Sequence, residues 1–183
     1  MRPTGRLSNH AALRLQLETS RQFAHTSTIA IFEGGPLARP DGGVSIAAVR
    51  GAIDSRLAQL PHYRRKLRRI PLENHPVWVD DHEFNLDYHV RHTSLPRPGG
   101  LAELRQVASR VQAQRLDRSR PLWECWVLEG LEGGRFALLV KTHLTLAEVG
   151  ADLLEVLLSK DPAEVFGAAR PFVARPMPSA VEL

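Results

Sequence analysis

An α/β fold built on a mixed sheet is the class this sequence predicts, and three observations carry it. Phe136 to Thr142 is an unbroken, mostly apolar run of the length expected for a strand buried on both faces. Two segments repeat apolar residues at helical spacing: Ile46, Val49, Ile53, Leu57 and Leu60 in one, Leu104, Val107, Ala108 and Val111 in the other. Before, between and after them lie short β-favouring stretches, His25 to Glu33, Pro76 to Asp81 and Trp123 to Leu128. Interleaving of this kind places helices on a sheet, with Phe136–Thr142 at or near its centre.

Each element follows in order. Ser8 can cap a short helix carrying Leu13, Leu15 and Leu17. His25–Glu33 is rich in Thr and Ile and predicts a strand; the Gly- and Pro-bearing stretch 34–43 after it is a loop. Ser45 caps the next helix, which stops before Pro61. His62 to Arg69 is the most basic patch, expected as a solvated face beside a strand, with an anion site as its alternative. Pro76 to His92 reads as two short strands with a turn at Asp80 and Asp81, adjacent carboxylates that a strand would point to opposite faces. The helix over Leu101–Arg115 follows, then the strand from Trp123, a turn at Glu129–Gly134 and the central strand. That strand ends at Lys141 and His143 and leads to a helix over Asp152–Ser159. From Pro162 to Leu183 the chain is Pro- and Ala-rich, so the domain is expected over 1–161 and a connecting segment over 162–183.

Composition bounds function. The 183 residues are 43% hydrophobic, enough for one domain with its own core. The formal charge is +4 and the pI about 9.8, which permits anionic partners without selecting one. The basic patch lacks interleaved aromatics apart from Tyr63, so nucleic acid is not an expected partner. Cys125 is alone and no run approaches ~18 apolar residues, which predicts a cytoplasmic protein, at most peripheral to membranes or lipid inclusions. His75, His82, His89 and His92 follow no zinc spacing, and neither a metal nor a cofactor is expected.

The stretch Gly133-Gly134-Arg135-Phe136-Ala137-Leu138-Leu139-Val140-Lys141-Thr142-His143 resembles the lead-in GGRFALLxKxH of the bacterial wax ester synthase/diacylglycerol acyltransferase family. That family lies within the larger group of CoA-dependent acyltransferases and condensation domains. Three further matches are Leu17-Glu18-Thr19, the segment from Pro76 to Arg91 and, most specifically, Asp117 to Glu124, which follows the family's LDRSRPLWE. The resemblance implies the N-terminal half of a chloramphenicol-acetyltransferase-like two-layer sandwich. It implies acyl transfer from acyl-CoA, as substrate, to a long-chain alcohol or diacylglycerol. Where the family carries HHxxxDG, this chain reads HLTLAEV. His143 takes the first His, Leu144 the general base, Glu148 the Asp as a structural group, and Val149 the Gly. Ala11 and Arg14 also depart from the family's Asp and Phe, and Arg14 puts a charge where an apolar contact is expected.

These readings make the expected protein a family member that is inactive or weakened as this chain, with His143 its remaining candidate for chemistry. A one-residue shift along a strand turns a side chain to the opposite face, and no orienting partner for His143 is evident in the sequence, so a structural role at the strand end is expected for it. The alternative is a non-catalytic acyl-CoA-binding or interaction module that pairs with a separate second half. No internal repeat supplies that half. A half-fold is also expected to expose apolar surface and to self-associate.

Overall fold

A computed structural model describes residues 5–41, 43–71, 73–148, 152–160 and 171–176. Val149 and most of the 162–183 segment lie outside the described residues. A four-stranded mixed sheet has the order β1 (His25–Glu33), β6 (Arg135–His143), β5 (Trp123–Leu131), β4 (Val90–Ser94), and a separate ribbon pairs β2 (Arg65–Arg69) with β3 (Pro76–Asp80). β6 is antiparallel to both neighbours, while β4 runs parallel to β5. As expected, β6 is interior, and every residue from Phe136 to His143 is buried.

The β5–β6 hairpin closes at Gly133 and Gly134, with φ of 75° and 69°. Two successive positive φ values match the right-handed twist of the flanking strands, and glycine adopts them without a Cβ clash. The strand β5 runs to Leu131 through an irregular register after Leu128, so the expected turn begins three residues later than Glu129.

One face of the sheet packs on α1 (Asn9–Leu17), α2 (Ile46–Leu57) and α6 (Leu153–Leu158) through Leu15, Ile53, Leu57, Val140 and Leu153. The other packs on α4 (Leu101–Ala113) through Leu104, Val107 and Val111 against Ala137 and Leu139. Helix α4 ends at Ala113 rather than Arg115, where fully buried Lys141 donates to the carbonyl oxygens of Val111 (2.8 Å) and Gln114. A cation on the last carbonyls satisfies acceptors that the helix itself cannot.

Three local expectations are corrected. In α1 the residues buried are Ala11, Ala12 and Leu15, whereas Leu13 and Leu17 are exposed, because alternate residues do not share a helical face. The second strand expected before His92 starts only at Val90. Asn85 accepts from the Asp87 N–H (2.9 Å) and caps a one-turn helix, α3 (Leu86–His89), ahead of it. That turn carries His89 into the core, stacked on Trp123 at 4.6 Å with Nδ1 donating to the Trp123 carbonyl (2.8 Å). The basic patch is not a face beside a strand but a 3-10 turn and β2 itself. Three of its charges are paired: Arg64 with Asp54 (2.7 Å), Arg65 with Asp80 (2.9 Å) and Lys66 with Asp81 (2.7 Å).

The four histidines of residues 75–92 stay apart. His75 bonds the Leu7 carbonyl (3.0 Å), His82 the Arg175 carbonyl (2.8 Å) and His92 the Glu129 carboxylate (2.9 Å). Burial holds His89 at a pKa of about 4, partly offset by its bond to the Trp123 carbonyl. Because the folded value lies below the unfolded one, near 6.5, the stabilisation is full above 6.5 and is lost as pH falls towards 4. His89 alone accounts for about 3 kcal/mol across that window. Denaturant titrations should show stability falling steeply from pH 6.5 to 4, and His89→Phe should flatten the slope while lowering stability at pH 7. An unchanged slope would remove His89 from the account.

Candidate active site

The end of β6 and the segment after α1 meet at a buried polar cluster. The β1–β6 register sets His25 opposite His143, and Glu18, just beyond α1, reaches both. His143 is 1% exposed and stands on the same face of β6 as Lys141. Its Nδ1 accepts from the Thr145 backbone N–H (3.1 Å) and lies 2.8 Å from the Thr145 hydroxyl, capping α5 (Leu144–Ala147). With Nδ1 an acceptor, the proton sits on Nε2, which donates to Glu18 Oε1 at 2.9 Å. The expectation that His143 lacks an orienting partner is therefore corrected: Glu18 and Thr145 hold one nitrogen each. Burial lowers the His143 pKa, with Glu18 opposing it. The ring is neutral, and neither nitrogen is open to an incoming hydroxyl.

Glu18 is the hub. Its carboxylate takes the Ala24 N–H (2.6 Å), His143 and the Arg118 guanidinium. Burial by itself would raise its pKa, but these bonds outweigh burial and hold it low. Arg118 also donates to the Leu15 carbonyl (2.8 Å), tying the 117–124 segment to α1. His25 stacks on Phe23 at 5.3 Å and meets His143 edge-on at 5.6 Å, and its Nδ1 has no partner among the described residues. Burial, then the nearby Lys141, lower its pKa to about 4.

Glu18, His25 and His143 bring three ligand-type atoms within 4.8 Å of one another, a grouping no short sequence spacing announces. Its surroundings oppose a cation. Arg118 occupies Glu18, Lys141 bears on His25, and Glu18 Oε1 is already filled by two donors. The arrangement suits a hydrogen-bonded strut better than a metal.

Leu144 follows His143, partly buried, its N–H bonded to the Ala24 carbonyl at 2.9 Å. Glu148, outside the buried cluster, pairs with Arg14 (2.9 Å) and lies 3.5 Å from His10 and 3.4 Å from the Ser8 hydroxyl. The charge at Arg14 thus meets a carboxylate instead of disturbing an apolar contact, and Glu148 fastens α1 to the end of α5. Among the described residues no helix is long and apolar enough to cross a membrane.

The layered mixed α/β sheet, with its polar cluster at the end of a buried strand, defines an N-terminal part of the chloramphenicol-acetyltransferase-like fold. A wax ester synthase/diacylglycerol acyltransferase from Marinobacter aquaeolei VT8 superposes with a TM-score of 0.67 at 29% identity, over 78% of this chain and 35% of that one. Residues 7–180 match the wax ester synthase/diacylglycerol acyltransferase catalytic domain, and the chain belongs to that family. A putative diacylglycerol O-acyltransferase of Mycobacterium tuberculosis is 39% identical over 95% of this chain and 37% of its own length. The O-acyltransferase WSD of Acinetobacter baylyi is 36% identical over 82% and 31%. The chain therefore spans about a third of the length of these two relatives. The starter condensation domain of rhizomide synthetase, solved with C8-CoA, shares the fold at a TM-score of 0.58 and 13% identity.

Proposed function

We propose that this chain carries the scaffold of an acyl-CoA-dependent O-acyltransferase but transfers no acyl group at a measurable rate as it stands. The observation that carries the reading is the pair His143–Leu144. Transfer requires a base to take the proton of an acceptor hydroxyl while its oxygen attacks the thioester carbonyl and CoA leaves as thiolate. Such assistance is worth roughly 10²–10⁴ in rate. Leu144 has no lone pair, and His143, at 1% exposure, has both ring nitrogens engaged.

Acyl transfer must also outrun hydrolysis, and that depends on excluding water. The substrates in this reading are acyl-CoA and a long-chain alcohol or diacylglycerol acceptor. The test is release of free CoA in the presence of hexadecanol or diacylglycerol, against an acceptor-free blank, with a full-length family enzyme as positive control. The chain should stay at the blank while the control turns over. Acceptor-dependent release by the chain would overturn the reading.

A further inference from the structure

We propose that β1 is a self-pairing edge through which two copies of this chain associate, antiparallel about a twofold axis at Ile29. This does not depend on the acyltransferase reading. The geometry starts from the alternation of an antiparallel ladder. The His143 N–H points to β5, donating to the Leu122 carbonyl (3.0 Å), while the Leu144 N–H points to β1, donating to the Ala24 carbonyl (2.9 Å). Alternation then directs the backbone groups of Thr26, Thr28, Ala30 and Phe32 at β6, and those of His25, Ser27, Ile29, Ile31 and Glu33 outward. The His25 carbonyl is taken by the Gln112 side chain (3.1 Å). The outward groups of Ser27, Ile29 and Ile31 bond to nothing among the described residues.

Other strand edges are guarded. The Arg50 guanidinium caps the Val90 carbonyl of β4 at 3.0 Å, and Arg91 and His92 follow. Residues 5–7 cover β3 through Leu7 N–H to Pro76 O (3.2 Å) and Trp78 N–H to Gly5 O (3.0 Å). β2 reads Arg-Lys-Leu-Arg-Arg. Between His25 and Glu33, by contrast, β1 has no charge, no proline and no register break, and it exposes Ile29 and Ile31 at 40% and 41%. Charge, proline and bulges are the usual means of keeping strand edges apart.

The occupant follows from the same register. A strand edge is complemented by a strand, and this edge can complement itself. Centred on Ile29, a twofold sets Ile29 against its own copy and Ile31 against Ser27 of a second copy, with about six new backbone bonds. Centred on Ile31, it would leave Ser27 unused and bring Glu33 into the pairing. A ladder of this length is a small contact, so the dimer should be weak and concentration-dependent. Each copy carries a net charge of +4, so salt should strengthen the association by screening repulsion.

Sedimentation equilibrium across the micromolar range should give a monomer–dimer equilibrium that tightens with salt. Ile31→Lys should abolish it with an unchanged circular dichroism spectrum. Oxidation of Ile29→Cys should cross-link at least tenfold faster than Glu33→Cys, because only position 29 meets itself across the axis, within disulfide reach. Cys125 is buried and does not interfere. A monomer at high concentration, a dimer that survives Ile31→Lys, or equal cross-linking at 29 and 33 would each overturn the proposal.

Discussion

Glu18→Ala is expected to cost about 3–5 kcal/mol, the range for breaking a buried charged network by removing one partner. Glu18 is 3% exposed at its side chain, and its loss strands three donors at once: the Ala24 N–H, His143 Nε2 and Arg118. The Arg118 side chain is 30% exposed and can turn to solvent, but the imidazole and the amide cannot. Denaturant titration at pH 7 gives the number through the shift in midpoint. His143→Ala should cost less, since it leaves Glu18 bonded to Arg118 and Ala24. A Glu18→Ala change under about 1 kcal/mol, the size of an exposed pair, would mean the cluster is not the strut described here.

Leu144→His is the second large effect, and it is conditional. If the base alone were lacking, this substitution should raise acceptor-dependent turnover by up to ~10²–10⁴. The expected outcome is silence in the isolated chain, and a gain only when the remaining part of a family enzyme is supplied in trans. Arg14 bears on how the repair is designed. Glu148 reaches Arg14 at 2.9 Å, and Glu148→Asp shortens that reach by a methylene. Repair should therefore work better as Leu144→His with Glu148 kept than with Glu148→Asp added. The comparison is made by CoA release from both variants. Full recovery by Leu144→His in the isolated chain would show that the missing base alone accounts for the silence.

Much of this was legible in the residues. The apolar run 136–142 announced an interior strand because only burial on both faces tolerates it, and Ser8 and Ser45 cap helices where their spacing to the next apolar residues put them. The lead-in at Gly133–His143 fixed which residue follows the first His of the motif. The partner of His143 was not legible, because Glu18 lies 125 positions away and only the β1–β6 pairing brings it near. Arg14 and Glu148 looked like two unrelated departures for the same reason. The α3 turn was read as strand because Phe84 to His92 alternates plausibly, and the Asn85 cap that decides the matter is a local bond competing with the ladder. The β1 edge was visible only once its neighbours were known, since an edge is a property of the sheet.

The central claim is that the one imidazole at the motif is a strut and the base position is empty of chemistry. It is tested most directly by measuring acceptor-dependent CoA release for the unmodified chain and for His143→Ala side by side, each against its acceptor-free blank. The account predicts that both remain at the blank, with His143→Ala differing only in stability. Turnover by the unmodified chain that disappears in a folded His143→Ala variant would contradict it, because it would show that His143 leaves Glu18 or Thr145 to take a substrate proton.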